Sequence, residues 1–151
     1  MKINLNTKSK TLKILKLRRS KIPALLIFNC HNYRKYKKKY LLKIKSFFKN
    51  SHVAIRSSFN NEDTALTSNA GKYKSFLNVN TQNLKDIEDK IDQIINSKKK
   101  INKNDDFFIQ KMVKDIVFSG VILTRDLESY AKCLNINYHD GNNSEVVTSG
   151  Q

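Results

Sequence analysis

With 151 residues, 17.5 kDa and 39% hydrophobic content, the chain is sized for one domain or part of a larger one and can build a core, which excludes a disordered tail. No apolar run reaches the ~18 residues that a membrane-spanning helix needs, and Met1 to Lys21 is a lysine-rich mixture without a signal-peptide block, so no membrane span and a cytoplasmic location are expected. The formal charge of +16 is lopsided: residues 1–61 hold 17 Lys or Arg and no Asp or Glu, while the remainder holds 12 basic and 13 acidic residues.

One Pro and four Gly give little punctuation, so the elements are read from periodicity. Lys8–Leu17 predicts a short first helix, Ile22–Phe28 (IPALLIF) a short buried strand, and Tyr33–Lys49 a helix. Val53–Arg56 is a brief strand that runs into a polar loop, Ser57–Ser68. From Leu84 to Asn96 the apolar positions Leu84, Ile87, Ile91, Ile94 and Ile95 follow helical spacing, with the charges opposite. KKKINKNDD then reads as a hydrophilic loop, and Phe107–Val113, Phe118–Thr124, Leu134–Tyr138 and Glu145–Thr148 as successive strands rich in Ile, Val and Phe. Helices first and strands later predict an α/β (α+β) domain with an antiparallel sheet in its C-terminal part.

The basic N-terminal segment leaves two readings open. In YKKKYLLKIKSFFK the residues Tyr40, Leu41, Ile44, Phe47 and Phe48 fall on one helical face, which suits a helix packed on a core with its Lys residues in solvent. The same segment, residues 1–61, also suits a non-enzymatic binder of polyanions, either nucleic acid or acidic lipid. Lys (24) far outnumbers Arg (5), which argues against nucleic acid, since Arg supplies the bidentate base and phosphate contacts. Lys, Asn and Ile together make 57 of 151 residues, so part of the charge is compositional drift.

For chemistry, the polar stretch after Val53–Arg56 is the most informative. RSSFNNEDTALTSNAGKYKSFLNV places Arg56 at the end of a buried strand and follows it with Ser, Asn, Thr and Gly, a composition able to present N–H groups and hydroxyls to an anion such as phosphate. The same composition suits a surface loop whose Ser and Asn satisfy turns. A second Arg, Arg125 in GVILTRD, also ends a predicted strand, where it can serve a planar bidentate contact or pair with Asp126 or Glu128. His31, His52 and His139 are scattered, Cys30 and Cys133 lack CxxC spacing, and no metal site is expected; both thiols are read as reduced and inert. There is no P-loop, no GxGxxG and no G-x-S-x-G, so nucleotide binding here requires another fold.

Val53 to Val79, VAIRSSFNNEDTALTSNAGKYKSFLNV, resembles the "VRSS…ED…S.AG…S.LNV" segment in the nucleotide-binding domain of PEP synthases and pyruvate phosphate dikinases, a branch of the ATP-grasp fold. Three further blocks agree in order: IQKMV (Ile109–Val113) resembles "VQ.MV", SGVILTRD (Ser119–Asp126) resembles "SGV.FTRD/P", and INYHDGNNSEVVTSG (Ile136–Gly150) resembles "I…G.GE.VVSG". TKSKTL (Thr7–Leu12) resembles the "GGKG..L" start.

The resemblance implies a partial ATP-grasp fold. Its expected subdomains are 1–105, helix-rich with a phosphate-binding loop, and 106–151, the strands of an adenine-binding subdomain. It further implies that Lys8, Arg56 and Arg125 contact ATP phosphates, and that Ser68, Ala70 and Gly71 belong to the loop closing over them. Gln110, Lys111 and Met112 would form the strand whose edge reads adenine, with Glu145 in a supporting role. The implied ligands are ATP with Mg²⁺, and the implied partner is a phosphohistidine domain on the rest of the protein or on another chain. Two departures stand out: Asn6 and Thr7 replace the glycines before the family lysine, and NNSE replaces GLGE. The family's "DIEW" and "LQ.RP" strands, which supply metal ligands and a further Arg, do not follow "TSG", so a truncated or split version, incomplete for catalysis alone, is expected.

Overall fold

The computed structural model describes residues 7–14, 22–60, 73–126, 128–141 and 147. They divide into two compact units, the first running to Met112 and the second starting at Val113.

The first unit contains α1 (Lys8–Ile14), β1 (Leu25–Asn29), α2 (Cys30–Lys35), α3 (Lys37–Phe48), β2 (His52–Ser58), β3 (Ser75–Asn80), α4 (Leu84–Asn96) and β4 (Asp106–Lys111). Its four strands form one sheet in the order β1-β4-β2-β3, antiparallel throughout. Register fixes two faces. Phe28 opposes Phe107, and Ile55 opposes Ile109, on the core face, where they cluster with Leu41, Ile44 and Phe48 of α3 and with Ile87, Ile91, Ile94 and Ile95 of α4. Each of the four α4 isoleucines is buried, and each such side chain contributes roughly 1.5–3 kcal/mol by leaving water. α4 starts where Asn83 accepts a hydrogen bond from the Asp86 amide (3.1 Å), which satisfies an orphan donor of the first turn.

Several expectations are corrected. The helix predicted over Tyr33–Lys49 starts at Cys30 and is broken at Tyr36 into α2 and α3. The break lets Tyr33 pack edge-on against Phe107 (5.3 Å between centroids) while Lys37 reaches Glu88 (3.2 Å) and Asp92 (2.5 Å) of α4. Ser57 and Ser58 are the buried last residues of β2 rather than loop, because they pair with Phe107 and Asp106. β3 starts beyond the loop read as Ser57–Ser68, within the polar stretch that reaches Val79; it carries a bulge opposite Val53 and Ile55, with Asn78 at φ 55°, a backbone that Asn tolerates. β4 belongs to the first unit, which runs to Met112.

Among its described residues the second unit holds a two-stranded antiparallel ribbon, β5 (Phe118–Leu123) with β6 (Asn135–Asp140). Gly120 is required there by close approach: a Cβ at that position would stand 2.6 Å from the Asn137 carbonyl oxygen. Of the predicted strand Glu145–Thr148, only Val147 is described, and it is helical.

The α+β class with antiparallel sheets is as expected and is compatible with a partial ATP-grasp fold.

Candidate nucleotide-binding face

The sheet face opposite the core carries polar groups in its two interior strands. Ala54 opposes Gln110, Arg56 opposes Phe108 and Ser58 opposes Asp106, so Arg56, Ser58, Asp106 and Gln110 share one face. Arg56 is exposed, whereas Ser58 and Asp106 are buried at 0% and 7% exposure, so a solvent-facing guanidinium stands beside a desolvated polar set. Burial pushes the Asp106 carboxyl above its ordinary range, offset in part by a hydrogen bond from Asn29 Nδ2 (3.3 Å) and by the charge of Lys10.

α1 is tied to this face by hydroxyls. Ser58 Oγ accepts from the Ser9 amide at 2.9 Å and donates to Ser9 Oγ at 2.9 Å, and Ser9 Oγ lies 3.2 Å from Thr7 Oγ1. Lys8, half-buried, is the first residue of this helix. α1, whose first residue is Lys8, is thus docked on the face that carries Arg56.

The chain leaving β2 is clamped. Asn60 donates its amide to Asp105 Oδ1 (3.0 Å), and Asp105 also accepts from Lys98 Nζ (2.8 and 2.7 Å) and from the Asn102 amide (2.7 Å). Burial alone would raise the Asp105 carboxyl; the Lys98 ammonium and the two amides outweigh it and hold the group below its usual range. Phe59 is buried and packs edge-on against Tyr73, with 4.7 Å between centroids. The two described ends flanking residues 61–72 are therefore in contact. Ser68, Ala70 and Gly71 lie outside the described residues, as does Glu145.

The strand expected from the resemblance to read adenine, β4, is interior to the sheet. The Lys111 amide bonds the Ala24 carbonyl (2.8 Å) and the Met112 amide bonds that of His52 (3.0 Å), so those two donors serve the sheet. Arg125, in the second unit, donates to the Tyr130 carbonyl (3.1 Å), while its neighbour Asp126 accepts from Ser129 and Glu128 amides and from the Ser129 hydroxyl, which lower its carboxyl.

Sequence reasoning missed Ser9, Ser58 and Asp106. Parity along β2 is the signal that finds Ser58, two residues past Arg56 and so on its face; Ser9 has no comparable signal, because its contact spans 49 residues.

Among the described residues no group of three or more His, Cys, Asp or Glu side chains assembles to hold a metal, and no helix is long and apolar enough to cross a membrane. Cys30 is buried, and burial pushes its thiol up to about 12; Cys133 is exposed. A groove of about 290 Å³ between α3 and α4, lined by Leu41, Leu42, Leu84 and Glu88 among others, includes none of the expected site residues.

No curated protein and no solved structure matches the chain significantly. The family model described as pyruvate phosphate dikinase, AMP/ATP-binding domain, matches residues 20–150. Spanning both the Arg56 strand and the ribbon, that match covers most of the chain, which therefore belongs to the AMP/ATP-binding domain family of the pyruvate phosphate dikinases.

Proposed function

We propose that this chain binds ATP, delivered as its Mg²⁺ complex, on the sheet face that presents Arg56, for phosphoryl transfer to a histidine on a separate domain or chain. The observation that carries this reading is the exposed Arg56 guanidinium on an interior strand, sharing its face with Ser58, to which the Lys8 helix is docked, in a chain of a nucleotide-binding family. Phosphoryl transfer needs positive groups and backbone donors aimed at the phosphate oxygens more than it needs a protein nucleophile. In this reading Lys8 and Arg56 engage phosphate, and the family resemblance adds Arg125, Ser68, Ala70 and Gly71 as further phosphate-binding residues. Adenine is met near Gln110, Lys111 and Met112 through side chains and carbonyls rather than through the Lys111 and Met112 amides. Glu145 keeps a supporting role.

Mg²⁺ prefers a near-octahedral shell of oxygens. The described residues do not fit that demand: Asp106 is buried against Asn29, and Asp105 is held by Lys98. The ion is therefore assigned to the nucleotide and no protein-held metal enters the scheme.

Calorimetric titration of the chain with MgATP tests the proposal: saturable binding that Arg56→Ala weakens at least tenfold is expected. Binding to a single-stranded oligonucleotide in place of ATP, collapsing between about 50 and 200 mM salt, would instead favour the polyanion reading. That reading draws on Lys38, Lys39, Lys43 and Lys45, all exposed on α3.

A further inference from the structure

We infer that Ser58 is a positioning residue for nucleotide binding: through Ser9 its hydroxyl fixes α1, and with it Lys8, on the Arg56 face. The inference rests on the nucleotide reading above and concerns how that site is held together.

A seven-residue helix is too short to persist on its own, so α1 must be held by tertiary contacts. Its first hydrogen bond runs from the Thr11 amide to the Thr7 carbonyl (2.9 Å), which makes Thr7 the N-cap. The amides just inside such a start have no partner within the helix. Thr7 does not supply one to Ser9, since its hydroxyl faces the Ser9 hydroxyl (3.2 Å). The Ser9 amide is instead satisfied by Ser58 Oγ, 49 residues on, at 2.9 Å, and the same oxygen donates to Ser9 Oγ. Ser9 and Ser58 are both 0% exposed, so no water competes for these bonds, and removing either hydroxyl leaves a buried polar group without its partner.

The consequence for a ligand is positional. Lys8 immediately precedes Ser9, and Arg56 lies two residues before Ser58 on the same strand face. The helix that begins at Lys8 and the strand that carries Arg56, distant in sequence, are thus joined through one pair of hydroxyls. Ser58 touches no ligand in this scheme; it acts through Lys8.

The test uses the full chain and four variants, Ser58→Ala, Ser9→Ala, Lys8→Ala and the double Ser58→Ala/Lys8→Ala, each read by amide hydrogen exchange and by MgATP titration. Ser58→Ala is expected to lower protection of the Ser9 amide at least tenfold while leaving the β2 and β4 amides unchanged, and to weaken MgATP binding about five- to tenfold. Ser9→Ala removes the same hydroxyl pair from the helix side and guards against misfolding of Ser58→Ala. In the double variant the penalty should match that of Lys8→Ala alone to within about twofold, because Ser58 has nothing left to position. Penalties that multiply, or a Ser9 amide whose protection survives Ser58→Ala, would retire the role of Ser58 alone. A folded wild-type chain that takes up no MgATP would retire the nucleotide reading and that role together.

Discussion

The two units solve the burial problem differently. In the first, a four-stranded sheet sets Phe28, Val53, Ile55, Phe107 and Ile109 against α3 and α4, and most of its large apolar side chains are fully enclosed. The ribbon of the second leaves Phe118, Ile122, Ile136 and Tyr138 between 52% and 72% exposed. Two strands alone cannot cover both of their faces, and an isolated ribbon is at best marginally stable in water. Among the described residues the enclosed core thus lies in the first unit, which also carries Arg56, Ser58 and the docked α1.

The comparison is broken or sharpened by a graded set of substitutions. The largest effect is expected from Lys98→Ala, which leaves the fully buried Asp105 without its cation and should cost about 3–5 kcal/mol in urea denaturation at neutral pH. The pH dependence should weaken as well. In the wild type the Asp105 pKa is lowered on folding, so its contribution is present above the unfolded value of about 3.9 and is lost as pH falls through the folded one. In Lys98→Ala the ammonium that helps lower that pKa is gone, so the variant should lose less stability than the wild type as pH falls toward ~4.

Next comes Ile91→Ala, a cavity in the best-packed part of the core, with an expected cost of about 3 kcal/mol by the same measurement. Asp106→Asn should act in the opposite direction. The Asp106 pKa is raised on folding, so its ionised form is disfavoured in the native state at neutral pH; the neutral amide should add about 1 kcal/mol at pH 7, and the gain should vanish below pH ~4, where aspartate is protonated in both states. Smallest is Ile122→Ala in the ribbon, where a side chain 62% exposed should change the melting profile by less than about 0.5 kcal/mol. An Ile122→Ala penalty equal to that of Ile91→Ala would contradict the division of stability between the units.

How much of this was legible in the sequence depends on the range of the contacts. The predicted helix Leu84–Asn96 has the same bounds in the structure, because five apolar residues at helical spacing and an Asn cap act within a few residues of one another. β3 was not legible: SFLNVN is short, bulged and half polar, and only its pairing with β2 makes it a strand. At the candidate site, Arg56 and its strand follow from local pattern, whereas the dock between Ser9 and Ser58 and the clamp of Asp105 on Asn60 are long-range bonds that no periodicity records. The interior position of β4 was hidden for the same reason, since strand order is a property of the whole sheet.

The central claim is that this chain holds a nucleotide on the face bearing Arg56. The most direct measurement is a thermal-shift titration of the 151-residue chain with MgATP at about 150 mM salt, run beside Arg56→Ala, whose exposed side chain should leave the unliganded melting temperature nearly unchanged. At nucleotide about 100 times Kd, the account predicts a stabilisation of about 2.7 kcal/mol in the wild type, greatly reduced in Arg56→Ala. A cooperatively folded wild-type chain whose melting does not respond to MgATP, or responds equally in both proteins, would contradict it.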